Sequence, residues 1–373
     1  MFTRENTKEI KGIAILLMLA HHLCGFPDKI PYGMGIETGL MISGKELTDI
    51  IGLFSKICVS LYMFLGGYGL YKKAVRIEDG QVIIKNALAK NIVALYKSYW
   101  KVFLVFVPIG FLFFSNQVQY CANESACFRY AEWSLEKFLM NFTGLSYSLN
   151  SEWWFLFYYI FALFEGYIFL ELFKNSRNLY SEYSFVIVWH ILLTKVFPII
   201  PFREGLASLG TDIWYKNIFL GSEFSISFFV GIIFAKYSIF ESWKKELEKL
   251  SALQRSVIAL FVLFLVVYVR VFFVSNAFDI VLVPLLVIGC HTLIETTKIM
   301  KKPLGILGKH NTNMWLTHSF YCYYFGVFSK MVFGTNNLVL AFLILLALSL
   351  VTSFWLERFW TMVSGISNKI FVR

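Results

Sequence analysis

The stretch Ile10–Leu23 reads IKGIAILLMLAHHL. It is an apolar run that carries two adjacent histidines, His21 and His22, near its end. A titratable ring at bilayer depth is costly, and such residues usually face a bundle interior or a wet cavity where they bind or move protons. On a helix, the offset of eleven residues from Lys11 to His22 returns to nearly the same face, so the two side chains are about 20° apart around the axis and about 16 Å apart along it. The stretch therefore predicts a membrane helix with a cation at its start and a base further along.

Two other interpretations of this stretch stay open. A neighbouring helix could simply satisfy the histidine, or the run could be a cleaved signal peptide. The second is weak, because no small-residue cleavage site follows His22 and many more apolar segments come later. The helical face favours His22 over His21 as the base, since His21 is rotated about 80° the other way from Lys11. The choice between the two rings is not settled by this argument.

The composition indicates a polytopic membrane protein. Of 373 residues, 58% are hydrophobic and 16% are charged, and the mean hydropathy is +0.64. Such values are typical of membrane proteins and of no soluble class. The net charge of +10 does not indicate nucleic-acid binding, because the basic residues lie at the ends of apolar runs, where topology explains them. Membrane lipid is the expected surrounding partner.

Apolar runs long enough to span a bilayer predict an all-α transmembrane bundle of about ten helices, in one domain covering residues 1–373. The segment Ser134–Leu145 is amphipathic and too short to span, so it is expected to lie along the interface or to re-enter. The predicted spans are 10–26, 48–71, 92–114, 153–173, 183–200, 214–235, 255–274, 278–297, 310–330 and 337–360.

The distribution of basic residues predicts that both termini are cytoplasmic. With the N-terminus inside, 22 of the 34 Lys and Arg residues fall on the cytoplasmic side and six on the other, as the positive-inside rule requires. Cys121 and Cys127 then lie outside, where a disulfide could form. A zinc site is not expected there, and no metal site is predicted elsewhere. The remaining cysteines lie in apolar runs and are expected to pack as small hydrophobes: Cys24, Cys58, Cys290 and Cys322.

Histidines are the best candidates for chemistry. A neutral imidazole can accept the proton of a hydroxyl that attacks an acyl group. No GxSxG nucleophile elbow is present, so direct attack by the acceptor is the simpler acyl-transfer scheme. His318 is a second intramembrane histidine, for which a polar core contact is an equal alternative. His190 and His291 are lone histidines on apolar segments and are assigned to structure.

Glu152 opens the aromatic run Ser151–Phe157. Its carboxylate could orient a sugar hydroxyl or an imidazolium, and it could equally be an interfacial charge within an aromatic belt.

A cluster of basic residues is the best candidate for binding a cytoplasmic phosphate-rich partner. Positive-inside topology alone also explains them, and the two interpretations are compatible. Lys97 and Lys101 lie one helical turn apart within an apolar run. Both side chains could also snorkel, with the charged group reaching water at the membrane surface. The cluster comprises Lys72, Lys73, Arg76, Lys85 and Lys90.

Together these motifs resemble the acyltransferase 3 family of integral membrane enzymes. The family's first helix begins Arg-Gly-Ile-Ala and carries a His eleven residues after the Arg; here Lys11–Ala14 and His22 match, with Lys in place of Arg. The family's Arg-x-x-Arg element is not reproduced, since Lys90–Ala94 stands in that place and Lys97 replaces a usual Pro. The other matching stretches are Leu61–Leu70, Trp154–Leu156, Phe228–Gly231, Leu307–Gly308 and Trp315–His318.

The resemblance implies a multi-pass enzyme of the plasma or inner membrane that acylates cell-surface or lipid-linked sugars. It implies acyl-CoA, most often acetyl-CoA, as a cytoplasmic donor substrate, with no permanently bound cofactor. His22 is then the base, and Lys11 holds the donor phosphate or pantetheine. Because of the departures noted above, the donor contacts could have shifted to Lys72, Lys73 or Lys90.

A transporter or flippase for a lipid-linked sugar is the main alternative, with the His and Lys residues lining a substrate path. The chain lacks the Gly/Pro-interrupted helix pairs that mark many transporter sites. A glycan polymerase would need large outer loops with many basic residues. The predicted outer loops supply few such residues, namely Arg129, Lys137 and Arg203.

Overall fold

The chain is built almost entirely from helices. The computed structural model describes residues 2–30, 34–79, 81–116, 128–196, 212–273 and 275–371. It is 78% helical with almost no strands. This confirms the all-α class expected from the sequence.

The helices are numbered in chain order and vary widely in length. They are α1 (Arg4–Cys24), α2 (Leu47–Ser55), α3 (Ile57–Ala74), α4 (Leu88–Phe113), α5 (Leu135–Phe142), α6 (Trp154–Phe173), α7 (Leu179–Ile191), α8 (Asp212–Lys236), α9 (Ile239–Leu247), α10 (Ala252–Phe272), α11 (Asp279–Thr297), α12 (Lys301–Ser319), α13 (Gly326–Phe333) and α14 (Leu338–Phe371).

Short irregular elements connect some of these helices. One π-helical turn, Leu192–Val196, follows α7, and another, Phe320–Tyr324, follows α12. The strands form two antiparallel hairpins: β1 (Met41–Ile42) with β2 (Lys45–Glu46), and β3 (Val75–Glu78) with β4 (Gln81–Ile84).

Six helical segments in the described residues are long and apolar enough to cross a membrane. A seventh is present if the bent pair Glu223–Lys236 and Ile239–Leu247, which turns by 66° at its break, is one span. The chain therefore has the character of a multi-pass membrane protein. The six segments are Leu47–Ala74, Leu88–Phe113, Ser151–Phe173, Ala252–Phe272, Asn276–Thr297 and Leu338–Gly365.

Three of the ten expected spans match neither one of these six segments nor the bent pair, which corresponds to 214–235. In α1, covering the expected span 10–26, Lys8, Glu9 and Lys11 leave only a short apolar stretch. The helix over 183–200 ends at Ile191, and residues 197–211 lie outside the described ranges. The span 310–330 is interrupted at Ser319 by the π-helical turn. The count of about ten, and the cytoplasmic placement of both termini, remain predictions.

The amphipathic segment expected at Ser134–Leu145 forms α5. The Ser134 hydroxyl caps this helix by accepting a hydrogen bond from the Lys137 backbone N–H (3.0 Å), satisfying a donor that has no partner within the helix. On the opposite side, Phe138 and Phe142 are one turn apart, and their rings lie 5.2 and 5.5 Å from that of Phe103 on α4. Aromatic packing thus fixes α5 against α4.

The helices are distributed over two compact units. The first unit comprises Met1–Ala14, Lys56–Ile92 and Trp154–Gly305. The second unit comprises Ile15–Ser55, Val93–Trp153 and Ile306–Arg373.

Glycines allow α3 and α8 of the first unit to approach closely. A Cβ atom on Gly67 would lie 1.8 Å from the backbone oxygen of Phe228, and a Cβ atom on Gly231 would lie 2.0 Å from the backbone oxygen of Phe64. Small residues at a crossing let membrane helices pack at short distance. These glycines belong to two of the stretches that resemble the family, so those stretches serve helix packing.

The Gly67→Ala variant tests this crossing. The added methyl group cannot fit without moving the α8 backbone, and overpacking of this kind costs about 1–3 kcal/mol. We expect its thermal unfolding temperature in detergent to fall clearly below that of the parent. Gly69→Ala is the matched control on the same helix, because a Cβ there meets nothing within 4 Å. Equal unfolding temperatures for the two variants would contradict the close crossing.

A buried ion pair joins α10 and α11 in the first unit. Arg270 and Asp279 are 1% and 0% exposed, and the Arg270 Nε lies 3.4 Å from the Asp279 Oδ1. The Arg270 Nη2 donates to Asn276 Oδ1 (2.7 Å), and the Ser60 hydroxyl donates to Asp279 Oδ2 (2.5 Å). The pair therefore holds the turn between the two helices and connects it to α3.

An aromatic cluster forms the core of the second unit. The Trp153 ring lies 5.0 Å from Tyr99 and 5.7 Å from Phe320, and Phe320 lies 4.7 Å from Phe106. The Trp153 indole N–H donates to the Leu316 carbonyl (3.1 Å). Because Glu152 precedes Trp153 and His318 lies two residues after Leu316, this packing positions both candidate residues.

The cysteines agree with the sequence analysis where they are described. Cys24, Cys58 and Cys322 are free and buried, and Cys290 is free and partly exposed. The disulfide suggested for Cys121 and Cys127 lies outside the described residues.

Candidate functional site

His22 and His318 are brought together in the second unit. Their ring centroids are 4.6 Å apart, with the planes inclined at 59°. His22 lies in the last turn of α1 and is partly exposed, whereas His318 is fully buried near the end of α12. A partly exposed histidine is therefore in ring contact with a fully buried one.

Contacts on one side of the His22 ring favour a particular tautomer. The Tyr323 hydroxyl donates to the His22 backbone carbonyl, and the same oxygen lies 3.5 Å from the His22 Nδ1. Since the hydroxyl proton is directed at the carbonyl, the Tyr323 oxygen faces Nδ1 as an acceptor. This arrangement favours a proton on Nδ1, which leaves Nε2 as the basic atom. The Phe26 ring stacks on His22 at 5.2 Å.

His318 has a defined tautomer for the same reason. Its Nδ1 lies 2.6 Å from the Trp315 carbonyl oxygen, which can only accept, so Nδ1 carries the proton. The other nitrogen, Nε2, is buried and has no hydrogen-bond partner in the described part of the chain. A buried acceptor without a partner is costly. Such an atom calls for an explanation, of which a catalytic role is one.

His21 has a different environment. Its Nδ1 lies 2.9 Å from the Gly52 carbonyl oxygen of α2, so this nitrogen donates and ties the ring to the α2 backbone. The His21 and His22 rings are 5.3 Å apart. His21 thus connects the end of α1 to α2 beside the histidine pair.

Glu152 belongs to a buried ion pair close to His318. It is 4% exposed and accepts hydrogen bonds from Lys29 Nζ (2.8 Å) and Tyr324 Oη (2.5 Å). Glu152 is also the acidic group whose charge acts on His318. The carboxylate is therefore held in a fixed position and is not exposed in an aromatic belt.

Lys29 completes the cationic side of this site. Its ammonium group lies 4.4 Å from the Phe26 ring centroid and 5.3 Å from that of Tyr323. Both rings also contact His22. A cation over aromatic faces is attracted by their quadrupoles. Lys29 thus connects the Glu152 carboxylate to the two aromatic rings that contact His22.

A second basic residue flanks Tyr324. The Arg129 guanidinium carbon lies 4.4 Å from the Tyr324 ring centroid, and its Nη2 donates to the Ser151 hydroxyl (3.2 Å). The Lys137 ammonium group donates to the Arg129 carbonyl (2.7 Å). Burial and, to a smaller extent, the positive charge of Arg129 lower the pKa of Lys137. This side of the site is therefore positively charged.

Most of the candidate donor-binding lysines lie in the first unit, whereas His22 and His318 lie in the second. Lys11, Lys72, Lys73 and Lys90 belong to the first unit, while Lys97 belongs to the second. The positive charge of Lys73 acts on Lys11. The positive charge of Lys72 is partly compensated, since its Nζ lies 3.7 Å from a Glu241 carboxylate oxygen. Lys11 and Lys73 thus lie close enough in the first unit for their charges to interact.

Lys90 and Lys97 are both exposed on α4. Neither forms an ion pair with another described residue. Exposed lysines of this kind are compatible with positive-inside topology and with ligand binding. Both lysines therefore stay candidates for binding the acyl-CoA donor.

Sequence reasoning identified four of the residues at the histidine pair and missed three. His21, His22, His318 and Glu152 were found because each is a polar residue in an apolar run. The ones missed are Lys29, Tyr323 and Tyr324. The aromatic sequence Phe320–Tyr324, which follows His318, was an available signal, and the π-helical turn it forms is a feature often found at functional sites.

Comparison with protein families gives a match to a family model described as an acyltransferase domain, over residues 10–358. No curated protein and no solved structure matches the chain.

Proposed function

The chain belongs to the acyltransferase 3 family, whose model covers nearly its whole length, and from this premise we propose that it is an O-acetyltransferase. It transfers an acetyl or other short acyl group from cytoplasmic acyl-CoA to a hydroxyl of a cell-surface or lipid-linked sugar. The enzyme acts in the plasma or inner membrane. Acyl-CoA is a substrate in this proposal, and no permanently bound cofactor is needed.

One observation carries the mechanism: the pairing of the accessible His22 ring with the buried His318 ring at 4.6 Å. A general base must be reachable by the hydroxyl that it deprotonates, and partial exposure of His22 meets that need. The favoured tautomer leaves its Nε2 available to accept a proton.

The chemical step follows from this arrangement. The His22 Nε2 takes the proton of the sugar hydroxyl as the hydroxyl oxygen attacks the thioester carbonyl carbon. A carbon–oxygen bond forms and the carbon–sulfur bond breaks, so that CoA leaves as a thiolate. The proton held by His22 then protonates the departing sulfur, which gives the sugar ester and CoA. No other co-reactant is required.

His318, Glu152 and Lys29 act as positioning residues in this proposal. The buried Glu152 carboxylate offsets positive charge that develops on the histidine pair during proton transfer. Lys29 and Tyr324 fix that carboxylate in place. Preorganised groups of this kind stabilise the transition state without moving during the reaction.

Lys11 and Lys73 are proposed to bind the phosphates of the donor. Two like charges that act on each other raise the free energy of the empty site, and an anion relieves that repulsion. The resemblance to the family supports Lys11 in this role, and the structure supports Lys73 as its partner.

Thermal unfolding of the purified protein with acetyl-CoA tests the proposed function. A ligand that binds only the folded state raises the unfolding temperature, so stabilisation by acetyl-CoA and CoA is expected. A transporter for lipid-linked sugars has no reason to bind CoA. Absence of a response to any acyl-CoA would therefore favour the transport alternative.

The Lys73→Gln variant tests the donor site. Losing one charge-assisted contact with phosphate costs about 1.5–3 kcal/mol, so we expect the Kd for acetyl-CoA to rise by about tenfold or more. The matched control is Lys245→Gln, which removes an exposed lysine from α9. Isothermal titration calorimetry measures both. An unchanged Kd for Lys73→Gln would place the phosphate contacts on other lysines.

A further inference from the structure

Three potential metal ligands meet in the first unit, away from the histidine pair. Glu9 of α1, together with His291 and Glu295 of α11, each place a ligand atom within 4.8 Å of the other two. Glu9 and His291 are 3% and 6% exposed, and Glu295 is partly exposed. Exposed carboxylates often cluster without binding anything, but two of these three groups are buried.

The polar atoms of this cluster are poorly satisfied. The His291 Nδ1 is buried and has no hydrogen-bond partner in the residues that the structure describes. The Glu9 carboxylate accepts one long hydrogen bond, from the Asn6 side-chain amide at 3.4 Å. The ring of Phe2 lies 5.4 Å from the His291 ring and covers part of it. A buried imidazole and a buried carboxylate with so few partners carry a desolvation cost that a bound cation would offset.

We propose that Glu9, His291 and Glu295 bind a divalent transition-metal ion of the zinc type. One imidazole nitrogen and two carboxylate oxygens are a mixed ligand set that suits Zn²⁺ and does not suit Mg²⁺ or Ca²⁺, which prefer oxygen alone. This site contrasts with the sequence analysis, which assigned His291 to structure and expected no metal.

The geometry needs only a small contraction to bind an ion. In tetrahedral coordination, two ligand atoms that each lie about 2.1 Å from zinc are about 3.4 Å apart. Separations of up to 4.8 Å therefore have to close by up to about 1.4 Å. Side-chain rotation of a glutamate provides such a movement.

Lys301 competes with the ion for one of the ligands. Its Nζ lies 2.7 Å from Glu295 Oε1, and both side chains are partly exposed. Glu295 is thus already neutralised in part, while Glu9 is not within ion-pair distance of a described base. Removal of the Lys301 charge frees Glu295 and should strengthen metal binding.

The bound ion would fasten the first turns of α1 to the last turns of α11. Both segments belong to the first unit. Because the ligands lie far apart in the sequence, an ion that bridges them constrains the fold in the way that structural metals do. The role proposed is therefore structural and is independent of the acyl-transfer chemistry.

Zinc titration of the full-length purified protein tests the site. After removal of any polyhistidine tag and dialysis against a chelator, ZnCl₂ should bind with one equivalent and raise the thermal unfolding temperature, and MgCl₂ should not. His291→Ala and Glu295→Gln should weaken zinc binding by about 100-fold or more, since changes even beyond the direct ligands cost 10–100-fold. The matched controls are His190→Gln and Glu246→Gln, which should bind zinc as the parent does.

Lys301→Met separates a metal site from a simple buried charge cluster. The metal-site proposal predicts tighter zinc binding in this variant, and a charge cluster without a metal predicts no zinc response at all. This variant also keeps the proposal testable if His291→Ala does not fold. X-ray absorption of the zinc-loaded parent should show nitrogen and oxygen ligands. Sulfur ligands, or undiminished zinc binding by His291→Ala, would overturn the proposal.

Discussion

Replacing His22 by alanine is expected to reduce acyl transfer by about 10²–10⁴-fold, the usual contribution of a general base, while the protein remains in the membrane. The reason is specific to one atom. The His22 Nε2 is the basic nitrogen that the favoured tautomer leaves available, and the partly exposed His22 ring lies 4.6 Å from the buried His318 ring. The measurement is the ester content of the surface polysaccharide from cells that carry the variant.

Two further variants show whether the loss is due to the base itself. His190→Ala removes a histidine outside the site and should leave the ester content unchanged. His21→Ala removes the contact with the Gly52 carbonyl and should reduce activity less than His22→Ala does, because His21 positions α1 and does not accept the proton. Normal acetylation in the His22→Ala strain would exclude His22 as the base.

The second large effect is on stability. Arg270→Met leaves the Asp279 carboxylate buried without its cation, and breaking a buried ion pair on one side typically costs about 3–5 kcal/mol. Both side chains are at most 1% exposed, so water cannot solvate the remaining charge. We expect a lower unfolding temperature and a reduced amount of folded protein in the membrane. Thermal unfolding in detergent measures the change.

The double variant Arg270→Met/Asp279→Asn provides the matched comparison. It removes both charges, and replacing a whole buried pair is often close to neutral, so it should be more stable than the single variant. Lys174→Met, which breaks an exposed pair with Glu171 at 3.2 Å, should cost no more than about 1 kcal/mol. A double variant less stable than Arg270→Met would show that the charge pair is not what holds this turn.

Much of the helical architecture could be predicted from apolar runs, because backbone groups within a bilayer must be satisfied inside the helix. What hydropathy could not show is where a helix is interrupted. The residues after His318 are apolar and aromatic, yet they form a π-helical turn and begin a new helix at Gly326. At the break, Phe320 packs against Trp153 and Phe106, and no local sequence pattern reveals such long-range contacts.

Only those residues of the site that are unusual within their own sequence segments could be predicted. His22, His318 and Glu152 stand out as polar residues in apolar runs. In the structure His22 is in ring contact with His318, and Glu152 pairs with Lys29, which lies over two aromatic rings that contact His22. Lys29 could not be identified in this way, since a lysine in a loop is ordinary until its carboxylate partner is known to lie 2.8 Å away. Tyr323 was equally hidden, because its role depends on a backbone carbonyl 301 residues earlier in the chain.

Transfer of labelled acetyl from acetyl-CoA by the purified protein tests the central claim most directly. With a sugar acceptor from the cell surface, the protein should release CoA and place the label in a base-labile ester on the sugar, and His22→Ala should lose this activity while still binding acetyl-CoA. If label reaches the sugar equally well with His22→Ala, or if no sugar hydroxyl is esterified by a protein that binds acetyl-CoA, the proposed mechanism is wrong.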